Sequence, residues 1–271
     1  MALRILALII GFALLYIPIL SVVVYSFNAS RLVTVWAGFS TQWYGALFEN
    51  RQLLQALALS LRIALVNAFI ATALGTCAAL LLARVRRGLL RHVVAAGTAT
   101  MLVIPEVILG FALLLSFVTF GELIGWPGSR GALTVTLSHI TFSTAFAAVI
   151  IRARLAMMDD TFEEAARDLG AGPWTVLRTV TLPLLAPALL AAWLLSFTLS
   201  FDDLVIASFT SGPGSSTLPM QIYASVRLGV SPQINALATL MIGAVAIGIL
   251  IATWILQRRR HKNEARLPSP H

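Results

Sequence analysis

The sequence predicts an all-α membrane protein with six transmembrane helices, and three observations predict it. Hydrophobic residues fill 59% of the 271 positions and charged residues only 11%, against about 25% charged in ordinary soluble domains. Mean hydropathy is +0.90, more apolar character than a water-soluble core can hide. Six apolar segments, at 5–27, 57–83, 93–119, 132–152, 185–206 and 236–256, each approach or exceed the roughly 20 residues that cross a bilayer as a helix. Segments of that length exclude the roughly ten-residue alternating strands of a membrane barrel.

The first segment follows a single Arg4. It is longer than the roughly 7–15 apolar residues of a signal peptide, and Ser26-Phe27-Asn28 matches a small-residue cleavage site poorly. It is therefore expected to be a retained span. Residues 28–56 carry Trp36, Trp43, Tyr44 and Phe48, which suit a helix lying at the headgroup level. Residues 1–56 thus form a first span with its interfacial segment, and 57–256 a core of five spans. Pro18 and Pro105 are expected to kink their spans. A short loop at 120–131 contains Trp126-Pro127-Gly128. The longer interval at 207–235 opens on SGPGSSTLP, continues with a short helix over Met220 to Arg227, and closes on Ser231-Pro232. That pair is a cap and first helical position for the last span. The polar, basic tail at 257–271 is expected to be mobile.

The basic residues orient the spans. One side holds fourteen of them: Arg4, Arg84, Arg86, Arg87, Arg91, Arg152, Arg154, Arg167, Arg178, Arg258, Arg259, Arg260, Lys262 and Arg266. The other holds Arg31, Arg51, Arg130 and Arg227. The excess predicts both termini in the cytosol. Sidedness thus accounts for a net charge of +8 without a nucleic-acid partner. The single cysteine, Cys77, excludes internal disulfides. There is no metal-ligand cluster among the histidines, no GxGxxG, no phosphate-binding GxxxxGK[ST] and no nucleophile elbow. No catalytic residue, metal or cofactor is expected on this chain.

Between two late spans, residues 159–183 read DDTFEEAARDLGAGPWTVLRTVTLP. Thr161 and Glu164 have the spacing of a capping box. Phe162 to Leu169 then make about two turns, ended by Gly170 in the left-handed region. Gly172-Pro173 restarts a helix that runs to about Val180, and Pro183 opens the next apolar run. The sidedness of charge puts this helix–turn–helix hairpin in the cytosol.

Three of the eleven carboxylates fall within spans: Glu106 near the middle of the third, and Asp202 and Asp203 in the outer third of the fifth. A charge at the bilayer centre costs about 2.5–3.5 kcal/mol on insertion scales, so such residues face a cavity or a partner. Acids without matching bases point to a cationic cargo. The alternatives are that Glu106 is protonated or held by a neighbouring helix, and that the Asp pair sits at the interface or bonds to Arg62. Adjacent positions lie about 100° apart on a helix, so Asp202 and Asp203 do not both face one narrow path. Trp43 offers an external ring for cation–π contact with an ammonium group. His139 is expected to make a helix–helix hydrogen bond, and Tyr16, Phe111 and Trp193 to meet lipid or core.

Glu164-Ala165-Ala166, Gly170 and Val180-Thr181-Leu182-Pro183 stand at the spacing E-A-A-x3-G-x9-I-x-L-P, with Val for Ile. This resembles the signature of permease subunits of type I ABC importers. SFNASRLVTVWAGFSTQWYGALFEN, IPEVILG and LSFDDLVIASFTSGPGSSTLPMQIYASVRLGVSPQINALATL are similar to the polyamine branch of that family. The branch usually carries Asp where this chain has Glu106, which keeps the charge and lengthens the reach by a methylene. The resemblance implies the type I permease fold and a multi-pass inner-membrane subunit that imports putrescine or spermidine. It implies pairing with a second, different permease chain, two copies of a cytosolic ATPase that hold ATP and Mg, and a periplasmic polyamine-binding protein. Glu164, Ala165, Ala166, Gly170 and Pro183 would form the ATPase-coupling hairpin. Asp202 and Asp203 carry over as family features of the fifth span. A permease for another small solute, such as an anion, would keep the hairpin without needing acids in the spans. A secondary transporter would show more spans or inverted repeats.

Overall fold

In the computed structural model, the described residues are 2–32, 35–85, 87–228 and 231–264. In chain order their helices are α1 (Ala2–Tyr25), α2 (Gln42–Glu49), α3 (Arg51–Arg84), α4 (Leu89–Val103), α5 (Glu106–Ile124), α6 (Ala132–Ala156), α7 (Thr161–Asp168), α8 (Pro173–Val176), a π-helical turn (Leu177–Thr181), α9 (Leu182–Phe201), α10 (Val205–Thr210), α11 (Leu218–Leu228) and α12 (Pro232–Glu264). Five stretches are long and apolar enough to cross a membrane: α1 from Arg4, α3, α5, α6 and the run Pro173–Phe201. α4 is a shorter apolar helix, and α12 is apolar over Pro232–Gly248. Among the described residues the all-α membrane architecture holds, with five spanning helices and further apolar helices beside them.

Three boundaries differ from expectation. The third segment, read as one span at 93–119, is two helices. A residue before proline avoids the helical region because the pyrrolidine ring crowds its backbone, and Ile104 accordingly turns extended at φ −69° and ψ 130°. The fifth segment, expected to run to 206, ends at Phe201. A short break at 202–204 then precedes α10. The tail expected to be mobile from 257 continues α12 to Glu264. Arg86 and Arg266, counted in the charge bias, lie outside the described residues.

Two compact units divide the chain: residues 1–54 with 222–271, and residues 55–221. In the first, α12 packs on α1 and α2. The link after α1 is organised by Asn28, which is fully buried. Its Nδ2 donates to the Val35 carbonyl at 2.7 Å, and its Oδ1 accepts from Ala37 N at 2.9 Å.

In the second unit, α3 carries a buried stripe of small residues, Ala64, Ala68, Ala71, Gly75 and Ala79. Small side chains let helix backbones approach where lipid provides no hydrophobic drive for association. A Cβ on Gly75 would stand 2.6 Å from Ala147 Cβ, so only glycine fits this crossing of α3 and α6. α6 also packs closely on α9, and Ala79, Ala147, Ile151, Leu185 and Ala192 form a fully buried cluster. Asn67 on α3 stitches the same three helices, donating from Nδ2 to Ser143 Oγ at 3.1 Å and to the Ser196 carbonyl at 2.7 Å.

Candidate functional site

Two features of the second unit carry chemistry: the hairpin and a cluster of acids. In the hairpin, α7 ends in a Schellman motif. The Ala171 N–H reaches back to the Ala166 carbonyl at 3.0 Å and the Gly170 N–H to the Arg167 carbonyl at 2.8 Å. This closure needs a left-handed residue, which Gly170 supplies at φ +83°. Glu164, Ala165, Gly170 and Pro183 are exposed and Ala166 is half-buried. Phe162, Leu169 and Trp174 stand out from the hairpin at 58%, 89% and 71% exposure, an apolar surface on an otherwise polar element.

The capping box expected of Thr161 and Glu164 does not form. Thr161 is the first helical residue rather than the cap. Asp160 stands at the cap without a side-chain cap bond; Asp159 before it accepts the Thr161 N–H on Oδ1 at 3.0 Å, and this bond holds its carboxyl below the usual carboxylate range. Glu163, which the sequence reading passed over, is instead the inward residue. Its Oε1 accepts from Arg84 at 2.7 Å and from the Thr181 hydroxyl at 2.6 Å, and its Oε2 accepts from Arg167 at 2.9 Å.

The break expected at Pro183 is also absent, since the chain is helical from Pro173 to Phe201. A proline inside a helix clashes with the carbonyl four residues back, here that of Thr179. The chain widens there into the π turn, with the Leu182 N–H bonded to the Leu177 carbonyl five residues back. The wider turn makes room for the ring.

The acids come together at the far end of α9. Asp202 caps the C-terminus of α9 and Glu106 occupies the first turn of α5. Leu109, one turn beyond Glu106, packs with Ile206 of α10 and Phe142 of α6. A Cβ on Gly110 would meet Phe209 at 2.7 Å, so α5 and α10 touch closely here. These contacts bring the start of α5, with Glu106, alongside the segment that follows Asp202 and Asp203. Depth follows from α6: His139, which bonds to Asp203, lies seven residues after Ala132, about 10 Å below that end of a helix about 37 Å long.

The three acids are not equivalent. Asp203 is enclosed, its side chain 7% exposed. Its Oδ2 accepts from Ala207 N at 2.7 Å and pairs with His139 Nε2 at 3.1 Å, and its Oδ1 accepts from Ile206 N at 3.3 Å. A carboxylate only accepts, so Nε2 carries the imidazole proton. Ser200 Oγ is 2.7 Å from Nδ1, and in the neutral ring its hydroxyl donates there. His139 thus ties α6 to α9 and to the link before α10, and Arg62 is not the partner of the Asp pair. Glu106 and Asp202 are exposed. Among the described residues no lysine or arginine forms an ion pair with either. Rings at helical spacing lead along α9 toward Asp202: Trp193 to Phe197 and Phe197 to Phe201 each stack at 5.7 Å.

Trp43 does not present the external ring expected of it. It is 9% exposed, and its Nε1 donates to the Asn28 carbonyl at 2.6 Å. The indole is committed to holding the link after α1.

Membrane-spanning helices, a polar hairpin between two of them, and acids gathered where α5 begins and α9 ends define a multi-pass membrane protein. The chain belongs to the family of binding-protein-dependent transport system inner membrane components, which it matches over residues 71–261. It is 52% identical to the putrescine transport system permease protein PotI of Escherichia coli (strain K12), covering 97% of this chain and 93% of that one. It is 40% identical to the spermidine/putrescine transport system permease protein PotC of the same strain, covering 93% and 92%. Among solved structures, a bacterial ABC transporter that imports the acidic polysaccharide alginate aligns with a TM-score of 0.73 at 18% identity, covering 95% of this chain and 94% of that one. The MetNI methionine ABC transporter in inward-facing form aligns at 0.58 and 20% identity, covering 76% and 95%. These structural likenesses establish the shared fold.

Proposed function

We propose that the chain forms half of the translocation pathway of an ATP-driven polyamine importer, with putrescine as its leading cargo, in a bacterial inner membrane. The observation that carries this reading is that the start of α5, which holds Glu106, packs beside the segment after α9, which holds Asp202 and Asp203. Asp203 already accepts from His139 and from the Ile206 and Ala207 N–H groups. Glu106 and Asp202 are left to offset the hydration that two ammonium groups lose on entering the membrane. Asp202 stands at a helix C-terminus, where the helix dipole disfavours negative charge and a cation relieves the repulsion. Phe197 and Phe201 add aromatic faces that attract ammonium groups. An anionic cargo would be repelled by the same site.

The hairpin is the contact for a cytosolic ATPase, which holds ATP and Mg; no covalent chemistry occurs on this chain. Glu164, Ala165, Ala166, Gly170 and Pro183 form the family signature, and the exposed Phe162, Leu169 and Trp174 give the ATPase an apolar surface to bury. Two ATPase copies and a second permease chain complete the transporter, with both termini of this chain in the cytosol. A periplasmic binding protein delivers the amine; the alginate transporter has been crystallised with such a protein loaded with a pentasaccharide. ATP binding moves the hairpins, and the spans alternate between inward and outward openings.

Reconstituted complex tests the reading. Loaded polyamine-binding protein should stimulate ATP hydrolysis and drive uptake of labelled putrescine, with spermidine as the competitor that ranks the two amines. ATPase activity indifferent to polyamine would sink it.

A further inference from the structure

We infer that Glu163, with Arg84 and Thr181, is the positioning clamp that makes the hairpin move as one body with α3 and α9. This rests on the reading of the hairpin as the ATPase contact. α7 has no buried residue, so apolar packing does not hold it. An isolated helix of this length is also marginal in water. What fixes α7 to the spans is the carboxylate of Glu163, whose side chain is 13% exposed. Its Oε1 receives Arg84 from the end of α3 at 2.7 Å and Thr181 from the π turn at 2.6 Å. Arg167 holds the other oxygen from within α7 at 2.9 Å.

Thr181 gives the clamp its direction. It is fully buried and stands immediately before α9. A π turn is a deformable point in a helix, and without the clamp a push on α7 would be spent in bending it. With the turn pinned to Glu163, α9 acts as a rod about 30 Å long whose other end is Asp202. The sequence signature points to Glu164. The structure divides the work between neighbours: Glu164 faces outward toward a partner, and Glu163 faces inward and carries displacement to the spans.

The measurement is amine transported per ATP hydrolysed in the reconstituted complex, with ATPase retention followed by co-purification. Thr181→Val keeps the volume and removes the hydroxyl; Thr181→Ser keeps the hydroxyl. Thr181→Val and Glu163→Gln should lower the ratio by about fivefold or more, as loss of a hydrogen bond to a charged group implies. Thr181→Ser should stay within about twofold, as expected when the bond persists. A wild-type ratio in Thr181→Val, or equal losses in the Val and Ser variants, overturns the clamp. Loss of the ATPase from Thr181→Val complexes also overturns it, because the buried hydroxyl would then serve only to fold the hairpin. Glu164→Lys, measured in parallel, should lose the ATPase. If it does not, the reading of the hairpin itself has failed, separately from the clamp.

Discussion

His139 on α6 and Asp203 beyond the end of α9 are joined by a hydrogen bond of 3.1 Å between Nε2 and Oδ2, with side chains 2% and 7% exposed. Removing one partner of a buried hydrogen bond leaves the other unsatisfied, at about 1–3 kcal/mol. His139→Leu and Asp203→Ala are therefore expected to lower the thermal stability of the purified chain. Serine at 139 should do little better, because it is too short to bridge to Ser200. Thermal unfolding in detergent checks this, and an unchanged transition in either variant would contradict a structural role for the pair.

Glu106 and Asp202 should behave differently, since both are exposed and neither has a resident cation among the described residues. Glu106→Gln and Asp202→Asn are expected to leave thermal stability nearly unchanged. Each should raise KM for putrescine uptake by roughly tenfold, the cost of one lost charge-assisted hydrogen bond. A monoamine competitor should lose affinity in only one of the two variants. Uptake kinetics identical to wild type in both would remove these acids from the pathway.

Two glycines give a contrast between strain and collision. A Cβ on Gly170 meets nothing within 4 Å, but the residue sits at φ +83°. Alanine there costs about 1–2 kcal/mol in the left-handed conformation alone. Gly170→Ala should leave the chain abundant in the membrane while uptake falls. Gly75 lies instead against Ala147 and Ala148, 2.6–2.9 Å from where its Cβ would be. Gly75→Val should prise α3 from α6 and lower abundance in the membrane. Immunoblots of membrane fractions beside uptake assays separate the two cases, and equal abundance of both variants would refute the distinction.

The spans were legible because a membrane imposes one requirement on every residue of a long segment, and composition reports it directly. The hairpin was legible because Gly170 and Pro173 punctuate it. What periodicity missed were local choices between near-equal partners. Thr161 looked like the cap of α7, but it is the first helical residue, with Asp160 at the cap and the Thr161 N–H held by Asp159. Glu163 and Glu164 are chemically alike, and only the positions of Arg84 and Thr181, far away in sequence, decide which one turns inward. Pro105 and Pro183 carried the same sequence signal. One divides a span because Ile104 goes extended, while the other is absorbed by a π turn. Trp43 looked like an external ring because no sequence signal announces that the Asn28 carbonyl will claim its N–H.

Asp159 supplies a pH test outside the membrane. The Thr161 N–H bond lowers its carboxyl below the usual carboxylate range. A group with a depressed folded-state value stabilises the fold above its unfolded value, and that contribution disappears as pH falls through the lowered one. The start of α7 should therefore hold at neutral pH and loosen only in acid. Asp159→Ala should loosen it at every pH, seen as faster exchange of the Thr161 amide relative to amides within α6. Carbon-13 shifts of the Asp159 carboxyl in detergent should titrate below those of an exposed aspartate in an unstructured peptide. A midpoint at or above the peptide value would show that the bond to Thr161 does not persist in solution.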